Sequence, residues 1–518
     1  MELHEWDVVV IGGGAAGLSA AQMLGRARRR TLVVDGGSPR NRVADHMHGV
    51  LGLDGTPPSD LLARGRDEVR RYGVVVRSGA VVHVRDATDA LRVTLDDGTE
   101  VRARAMVVAS GVHDDLPDVS GLRERWGRSI LHCPYCHGWE VADRRLGVLV
   151  TSPAGMHQLE LVRQWSDDVT AFVADVEPLD EALAERLAAR GFRIVASAVT
   201  ALTGDDVTLA AVRTADGTEH PLDALFVAPG PRLDLAFVAE LDLARADLPG
   251  RPLAVDALGA TSHPRVWAAG NVVQPFANVP VSMGAGSMAG AAVNAALVAE
   301  DADRAVAHAR RTARSEAWEA RYADTERTWS GRVNATLADV VAPLAPGSAL
   351  DVGCGEGGDA VWLAEHGWRV TATDVSATAV ARASAAARER GLDAARAVFV
   401  TADAELDLPD GPFDLVTASF LHSWDPDFPR IDILRAAAER VAPGGHLLVV
   451  SHAAPPSWVD ELPEGAPRMP APDVELALLA PDAAVWTPVL VETRSRAASD
   501  PDGHPGTHTD GVLLLQRR

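Results

Sequence analysis

The sequence predicts an α/β chain built from three Rossmann-like nucleotide-binding units, and three observations lead there. A β-branched run that breaks at small residues and re-forms as a helix opens near residues 7, 147 and 349. At the first and third openings the break carries glycines at fixed spacing, and the following strand ends in an aspartate. The 518 residues, 47% hydrophobic and 23% charged, have ordinary soluble composition and length for roughly three domains of about 150 residues.

The first opening is WDVVVIGGGAAGLSAAQMLGRARRRTLVVDGG. Residues 7–11 make a buried strand, and Gly12, Gly14 and Gly17 form G-x-G-x-x-G. Gly12 permits the tight turn, Gly14 lets backbone approach a pyrophosphate, and Gly17 lets helix and strand pack closely. Asp35, ending the next strand, stands where a carboxylate accepts from the adenosine ribose.

The second opening, LGVLVTSPAGMHQLELVRQW, keeps the strand at 147–150 but has Thr151, Pro153 and Met156 where glycines belong. Proline removes an N–H from a phosphate cradle, and a Met side chain fills the space between helix and strand. The strand in DVTAFVAD lacks the following arginines that a 2′-phosphate wants, so NADPH is unlikely here on sequence grounds.

The third opening, GSALDVGCGEGGDAVWLAEHGWRVTATDVSATAV, runs a strand at 349–352, containing Asp351, into Gly353, Gly355 and Gly357. This loop lets backbone lie against a nucleoside and an amino-acid tail, and Asp374 at the next strand end pairs with ribose hydroxyls. Cys354 is expected as a small side chain packed beneath the turn.

The remaining two of the three cysteines, Cys133 and Cys136, lie in HCPYCHGWE. Half a zinc site, a structural disulfide and a redox couple all fit Cys-x-x-Cys locally. No second Cys or His pair stands at zinc spacing, so no metal is expected, and three cysteines point to a reducing cytoplasm. The first apolar run lacks a basic leader, which argues against a secretory signal. A formal charge of -23 argues against nucleic-acid and anionic-membrane partners. His46, His48 and His113 read as ordinary polar or core residues.

Residues 1–305 resemble the thioredoxin-reductase-like FAD flavoproteins. The motifs, in order, are VVVIGGGAAGL, VVASGVHDDLPDVSG, the cysteine pair, RVWAAGNVVQPF and SMGAGSMAGAAVNAALVAED. The resemblance implies a two-dinucleotide-binding-domain flavoprotein: an FAD domain at 1–121 and 249–305, with a second nucleotide-type domain inserted at 122–248. It places Gly111, Gly270 and Asn271 on the cofactor, Asn271 standing where the family usually has an Asp. A helix starting near residue 280 would aim its positive end at the flavin ring.

HCPYCHGWE further resembles the dithiol oxidases of the gliotoxin and holomycin pathways, which have His-Gly after the second cysteine. The resemblance implies that Cys133 exchanges with a small-molecule dithiol and Cys136 faces the flavin. His137, with His132 before the pair, would take thiol protons. Dioxygen would be the electron acceptor, and a homodimer is a family expectation. Two other readings are an NADPH-dependent thioredoxin-type reductase with a divergent loop, and a flavin redox sensor controlling the C-terminal unit.

Residues 306–518 resemble a helical connector followed by a class I S-adenosylmethionine methyltransferase, similar to the tellurite-resistance and thiopurine group. TADAELDLPDGPFDLVTASFLHSW and VAPGGHLLVV carry the likeness beside the glycine loop. It implies that Asp403 and Ala404 meet the adenine, Tyr322 and Trp329 sit in a cap over the cofactor, and His422 and Trp424 contact the acceptor. His422 is also a candidate thiol base. Disulfide formation and S-methylation both mask thiols, so a small-molecule dithiol or thiol is the expected substrate.

Overall fold

The hydrophobic run after Trp6 becomes the central strand His4–Ile11, pairing in parallel with Thr31–Asp35 on one side and Glu100–Val108 on the other. Its side chains alternate between two cores. Val8 and Val10 pack with the helix Ala15–Arg26 and with Ala289 and Val293, whereas Val9 and Ile11 pack with Val84, Leu91 and Val93. In this computed structural model the described residues are 4–87, 89–152, 155–176, 178–459, 466, 469–500, 502 and 504–518. They form two compact units, Met1–Ala302 and Asp303–Arg518.

The first unit's large sheet runs Val75–Ser78, Thr31–Asp35, His4–Ile11, Glu100–Val108, Ala90–Leu95, Val81–Ala87, with Val266–Ala268 also paired to Glu100–Val108. A second, parallel sheet has the order Arg193–Val195, Val169–Phe172, Leu146–Leu149, Ala224–Val227, Ile130–Leu131. Its central strands are apolar on both faces, as burial on both sides demands. An antiparallel ribbon of His113–Asp115 and Gly230–Arg232 joins the two regions. The chain is back in the first core by Leu235, followed by Val238, Leu241 and Leu243, ahead of the expected return at 249. These leucines and valine cover the Val84–Leu91 side of the large sheet, which the local pattern alone does not reveal.

Residues 279–323 form one helix, Val279–Ala323, so the connector expected at 306 continues a helix already begun in the first unit. One window of it is long and apolar enough to cross a membrane, with mean hydropathy 1.4. Part of that apolar stretch is committed elsewhere: a Cβ on Gly286 or Gly290 would stand 2.0 or 2.6 Å from the carbonyl oxygens of Ala16 and Ala20. These glycines let the helix lie against Ala15–Arg26 at backbone distance.

The second unit has a seven-stranded sheet in the order Ala397–Thr401, Arg369–Asp374, Ser348–Val352, Phe413–Ser419, Val441–Ala454, Pro505–Arg517, Trp486–Ser499. The first five strands are parallel and the last two antiparallel. Leu350, Val352, Leu447 and Val449 face one core, while Ala349, Leu448 and Val450 face the other. This parallel arrangement puts the glycine loop and Asp374 at the carboxyl ends of adjacent strands, where such sheets bind ligands.

Replacing Gly286 by Val should overpack the contact with Ala16 and destabilise the first unit by about 1–3 kcal/mol. Thermal unfolding followed by flavin fluorescence reads this as a lowered midpoint. An unchanged midpoint would show that the two helices can separate freely.

Candidate functional site

The carboxyl end of the first sheet opens into a cavity of about 1260 Å³. Gly12, Gly14, Asp35, Gly111, Gly270 and Asn271 line it, and so do Cys133 and Cys136. Gly12 holds φ +106°, and a Cβ there would stand 2.3 Å from the Ala109 carbonyl oxygen, so only glycine makes this turn. Gly14 has open space where a Cβ would lie, leaving its backbone approachable. Gly17 does not line the cavity; a Cβ on it would meet the Gly12 carbonyl oxygen at 1.9 Å, which makes it the packing glycine of the motif. Asp35 accepts from the Gly37 N–H at 2.9 Å and from Arg66 at 2.9 Å, fixing its carboxylate at the strand end. The glycine cradle, the held acid and the helix start at Val279 on the cavity wall fit FAD.

Asn271 explains its own departure from aspartate. Its amide nitrogen donates to the carbonyl oxygens of Gln274, Pro275 and Ala277 at 3.1, 3.2 and 2.9 Å. An ionised carboxylate has no hydrogen for any of them. The turn leading into the long helix therefore depends on the amide, while the amide oxygen stays available to a ligand.

Cys133 and Cys136 form a disulfide with Cα atoms 5.2 Å apart, across the single turn Pro134–His137. Neighbouring groups hold that turn. The Gln158 amide donates to the His132 carbonyl, the His132 ring lies 3.3 Å from the Val227 carbonyl, and Tyr135 meets Trp165 edge to face. Burial lowers the pKa of His132, with Arg40 adding to the effect and the Val227 carbonyl opposing it. Burial likewise lowers His137, while Glu140 pulls the other way. Both imidazoles are therefore neutral near pH 7. His48, read from sequence as ordinary, lines the same cavity and bridges Asp54 and Glu140, each at 3.3 Å. No local motif flags it, because its partner Glu140 is far along the chain.

Around the second opening, Thr151 and Ser152 line the disulfide cavity, and Met156 packs into the core of the parallel sheet. Pro153 lies outside the described residues. Gln158, on the helix Met156–Val162, is committed to the cysteine segment through His132.

The second unit has its own cavity, about 1300 Å³, lined by Asp351, Gly353, Gly355, Asp374, Asp403, Ala404, Tyr322, Trp329 and His422. Asp374 accepts the Gly355 N–H at 2.9 Å and the Ser376 N–H at 2.9 Å. Trp329 donates its indole N–H to the Tyr322 hydroxyl at 3.0 Å, and its backbone N–H and that of Thr328 hold Glu356. Gly357 does not line the cavity; at φ +83° it packs against Ala383, the second unit's counterpart of Gly17. Asp351 is 2% exposed, accepts the Thr417 hydroxyl, and has one carboxylate oxygen without a hydrogen-bond partner among the described residues. Burial first, and the neighbouring Asp359 next, raise its pKa to about 7. A buried acid with an unmet oxygen suits a cationic ligand, and S-adenosylmethionine carries an ammonium and a sulfonium. Trp424 is 54% exposed and off the cavity wall. Trp318 takes the place expected for it, meeting the His422 ring at 6.1 Å. Cys354, expected beneath the turn, is instead half-buried on the cavity wall; desolvation raises its thiol pKa well above the ordinary value, which disfavours a reactive thiolate.

A disulfide opening onto a dinucleotide cradle, with a separate methyl-donor cavity downstream, defines a flavin thiol–disulfide oxidoreductase fused to a methyltransferase. The family model described as pyridine nucleotide-disulphide oxidoreductase matches residues 6–290, and that described as methyltransferase domain matches 349–445. The chain belongs to the pyridine nucleotide-disulphide oxidoreductase family and carries a C-terminal methyltransferase domain. It is 32% identical over 306 residues to thioredoxin reductase sirT of Leptosphaeria maculans, covering 56% of this chain and 93% of that one. It is 35% identical over 181 residues to a probable thioredoxin reductase of Arthroderma benhamiae, matching 34% of this chain and spanning only 45% of that relative's length. Among solved structures, the crystal structure of HlmI is 44% identical, with TM-score 0.58, covering 60% of this chain and 99% of that chain.

Asn271→Asp should weaken the turn into the long helix by about 1–3 kcal/mol, since the carbonyls of Gln274, Pro275 and Ala277 lose their donor. Less flavin should survive dialysis, read as a falling 450 to 280 nm absorbance ratio. Full retention would mean that those carbonyls find other donors.

Proposed function

We propose that the first unit is a dithiol oxidase acting on small-molecule dithiols in the cytoplasm, and that the second methylates small-molecule thiols. The observation carrying the first reading is the Cys133–Cys136 disulfide, which opens onto the cofactor cradle beside two imidazoles that burial keeps neutral. A neutral imidazole takes a thiol proton near pH 7, whereas a carboxylic acid in that place is suited to giving one.

His137 takes the first substrate proton, and the thiolate attacks the disulfide sulfur of Cys133, releasing Cys136 as thiolate. The second substrate thiol, losing its proton, then displaces Cys133 and leaves as the cyclic or linear disulfide, so two electrons and two protons have entered the protein. FAD, held by the Gly12–Gly14 cradle and Asp35, would supply a two-electron acceptor next to Cys136, with dioxygen as the final oxidant on this reading. His48, Glu140 and Asp54 form a polar bridge from beside His137 toward solvent, by which protons can leave. Gln158 holds the His132 backbone and so sets the cysteine turn against the cradle. The altered second opening, Thr151 and Met156 among its residues, supports the loss of NADPH as a reductant.

Similarity to thioredoxin reductases favours a second reading, an NADPH-dependent thioredoxin reductase. Anaerobic flavin bleaching separates the two. Dithiothreitol alone should bleach the flavin and NADPH alone should not; rapid bleaching by NADPH would overturn the oxidase reading.

The pH dependence follows from His137. Its pKa is lowered, so the proton-accepting form persists as pH falls through the ordinary imidazole value and is lost only below it. The bleaching rate with dithiol should therefore hold from about pH 8 to about pH 6.5. His137→Asn should cut that rate by about 100-fold at pH 7. An equal rate in stopped-flow traces would remove His137 from the mechanism.

A further inference from the structure

The acceptor end of the second cavity contains a strained residue that the cofactor contacts do not explain. Phe420, directly after the strand Phe413–Ser419, stands at φ +53°, a left-handed conformation rare for a bulky side chain. Strain of this kind persists where surrounding contacts impose it, and it concentrates at functional sites. Here the turn brings the Phe420 carbonyl into hydrogen-bond contact with Nδ1 of His422. A carbonyl only accepts, so Nδ1 carries the hydrogen and Nε2 keeps its lone pair.

Aromatic neighbours hold the His422 ring. Trp318 meets it edge-on at 6.1 Å and His452 at 6.2 Å. His452 stacks on Phe420 at 4.3 Å, and His508 lies 5.7 Å beyond. All three histidines line the cavity, and Nδ1 of His508 is buried without a hydrogen-bond partner among the described residues. The charged groups facing this cluster are Arg430 and Arg321 toward His422, with Arg496 and Asp510 toward His452 and His508. Burial lowers the pKa of His422 against the pull of the Phe420 carbonyl, and lowers His452 to about 4, so these two imidazoles are uncharged near neutrality. An imidazole of reduced basicity matches a thiol, with a pKa of about 8.5, far better than an alcohol.

We propose that this methyltransferase takes a protonated thiol and that His422, fixed as its Nδ1–H tautomer by the turned Phe420 carbonyl, is the base that deprotonates it, with His452 as a positioning residue. The inference rests on the thiol-methyltransferase reading of the second unit. The S–H bond breaks with its proton going to Nε2 of His422. The freed sulfur pair forms the new S–CH3 bond, and the sulfonium–methyl bond breaks with its electrons remaining on the departing neutral thioether.

The test uses the full chain with S-adenosylmethionine and two probe thiols, 2-mercaptoethanol and benzyl mercaptan. Wild-type methylation should stay near its maximum between about pH 6.5 and 8.5, while His422→Gln should fall about tenfold per pH unit below the thiol pKa and be about 100-fold slower at pH 7. Calorimetric binding of S-adenosylhomocysteine establishes that the variant is folded. Nitrogen NMR of ring-labelled histidine should show a protonated Nδ1 at His422; a protonated Nε2 overturns the assignment. His452→Ala, which removes the ring stacked on Phe420, should leave ring-labelled His422 in mixed tautomers and slow methylation about tenfold; a single Nδ1–H tautomer and an unchanged rate strike His452 from the proposal. If wild type and His422→Gln methylate thiols with matching pH profiles, the base assignment alone falls. If S-adenosylmethionine binds and no thiol is methylated, the thiol reading of the unit falls with it.

Discussion

The first unit depends on one close approach, the backbone of Gly17 against the carbonyl of Gly12, where a Cβ would stand at 1.9 Å. That contact lets the helix Ala15–Arg26 start directly above the end of its strand, so that its free N–H groups and the open face of Gly14 border one cavity. The same logic repeats at Gly286 and Gly290, which bring the long helix to backbone distance from Ala16 and Ala20. With both helices seated this tightly, Val279 and Gly270 reach the wall that Gly12 and Asp35 begin. The second unit repeats the arrangement with Gly357 against Ala383. Fixed cradles of this kind let cofactor chemistry be directed by a few side chains around them.

Those side chains are set by a contest between burial and hydrogen bonding. Burial disfavours charge at His132, His137, His422 and His452, and the groups that favour charge, Glu140 or single carbonyls at Val227 and Phe420, only partly offset it. The outcome in both units is an imidazole that is neutral yet retains a partner able to stabilise its protonated form. Under the proposed readings this is one physical answer to one chemical need, taking a proton from sulfur near neutral pH. Asp351 shows the contest from the other side: burial and Asp359 outweigh the Thr417 hydroxyl, and a cationic ligand supplies what the protein withholds.

What the sequence made legible was whatever is local in the chain. The glycine spacings, the strand-end acids Asp35 and Asp374, and the cysteine pair each sit within a few residues of the backbone feature that gives them meaning, and each lines or shapes a cavity as its motif implies. The features it concealed depend on distant segments. His48 gains its place through Glu140, and Leu235 belongs to the first core because of strands near residues 84 and 91. Trp424 and Trp318 could not be ranked from sequence, since only the packing of the long helix decides which indole faces His422. Asn271 lies between these cases. Its position was legible, but its reason, three carbonyls needing a donor, was not.

The two units differ in what their chemistry asks of the protein, and their walls reflect it. On the proposed reading, disulfide exchange brings two substrate sulfur atoms to one bond in succession, so its site would admit a flexible dithiol. The turn there leaves Tyr135 72% exposed on the cavity wall. Methyl transfer needs the accepting atom held in line with one carbon, where a small displacement costs a large factor in rate. One wall of its site is a run of neighbouring rings: Trp318, Tyr322, His422, Phe420 and His452 form a continuous chain of ring contacts. The strained turn persists in such a wall because His452 stacks on the Phe420 ring and the Arg496 guanidinium lies over it.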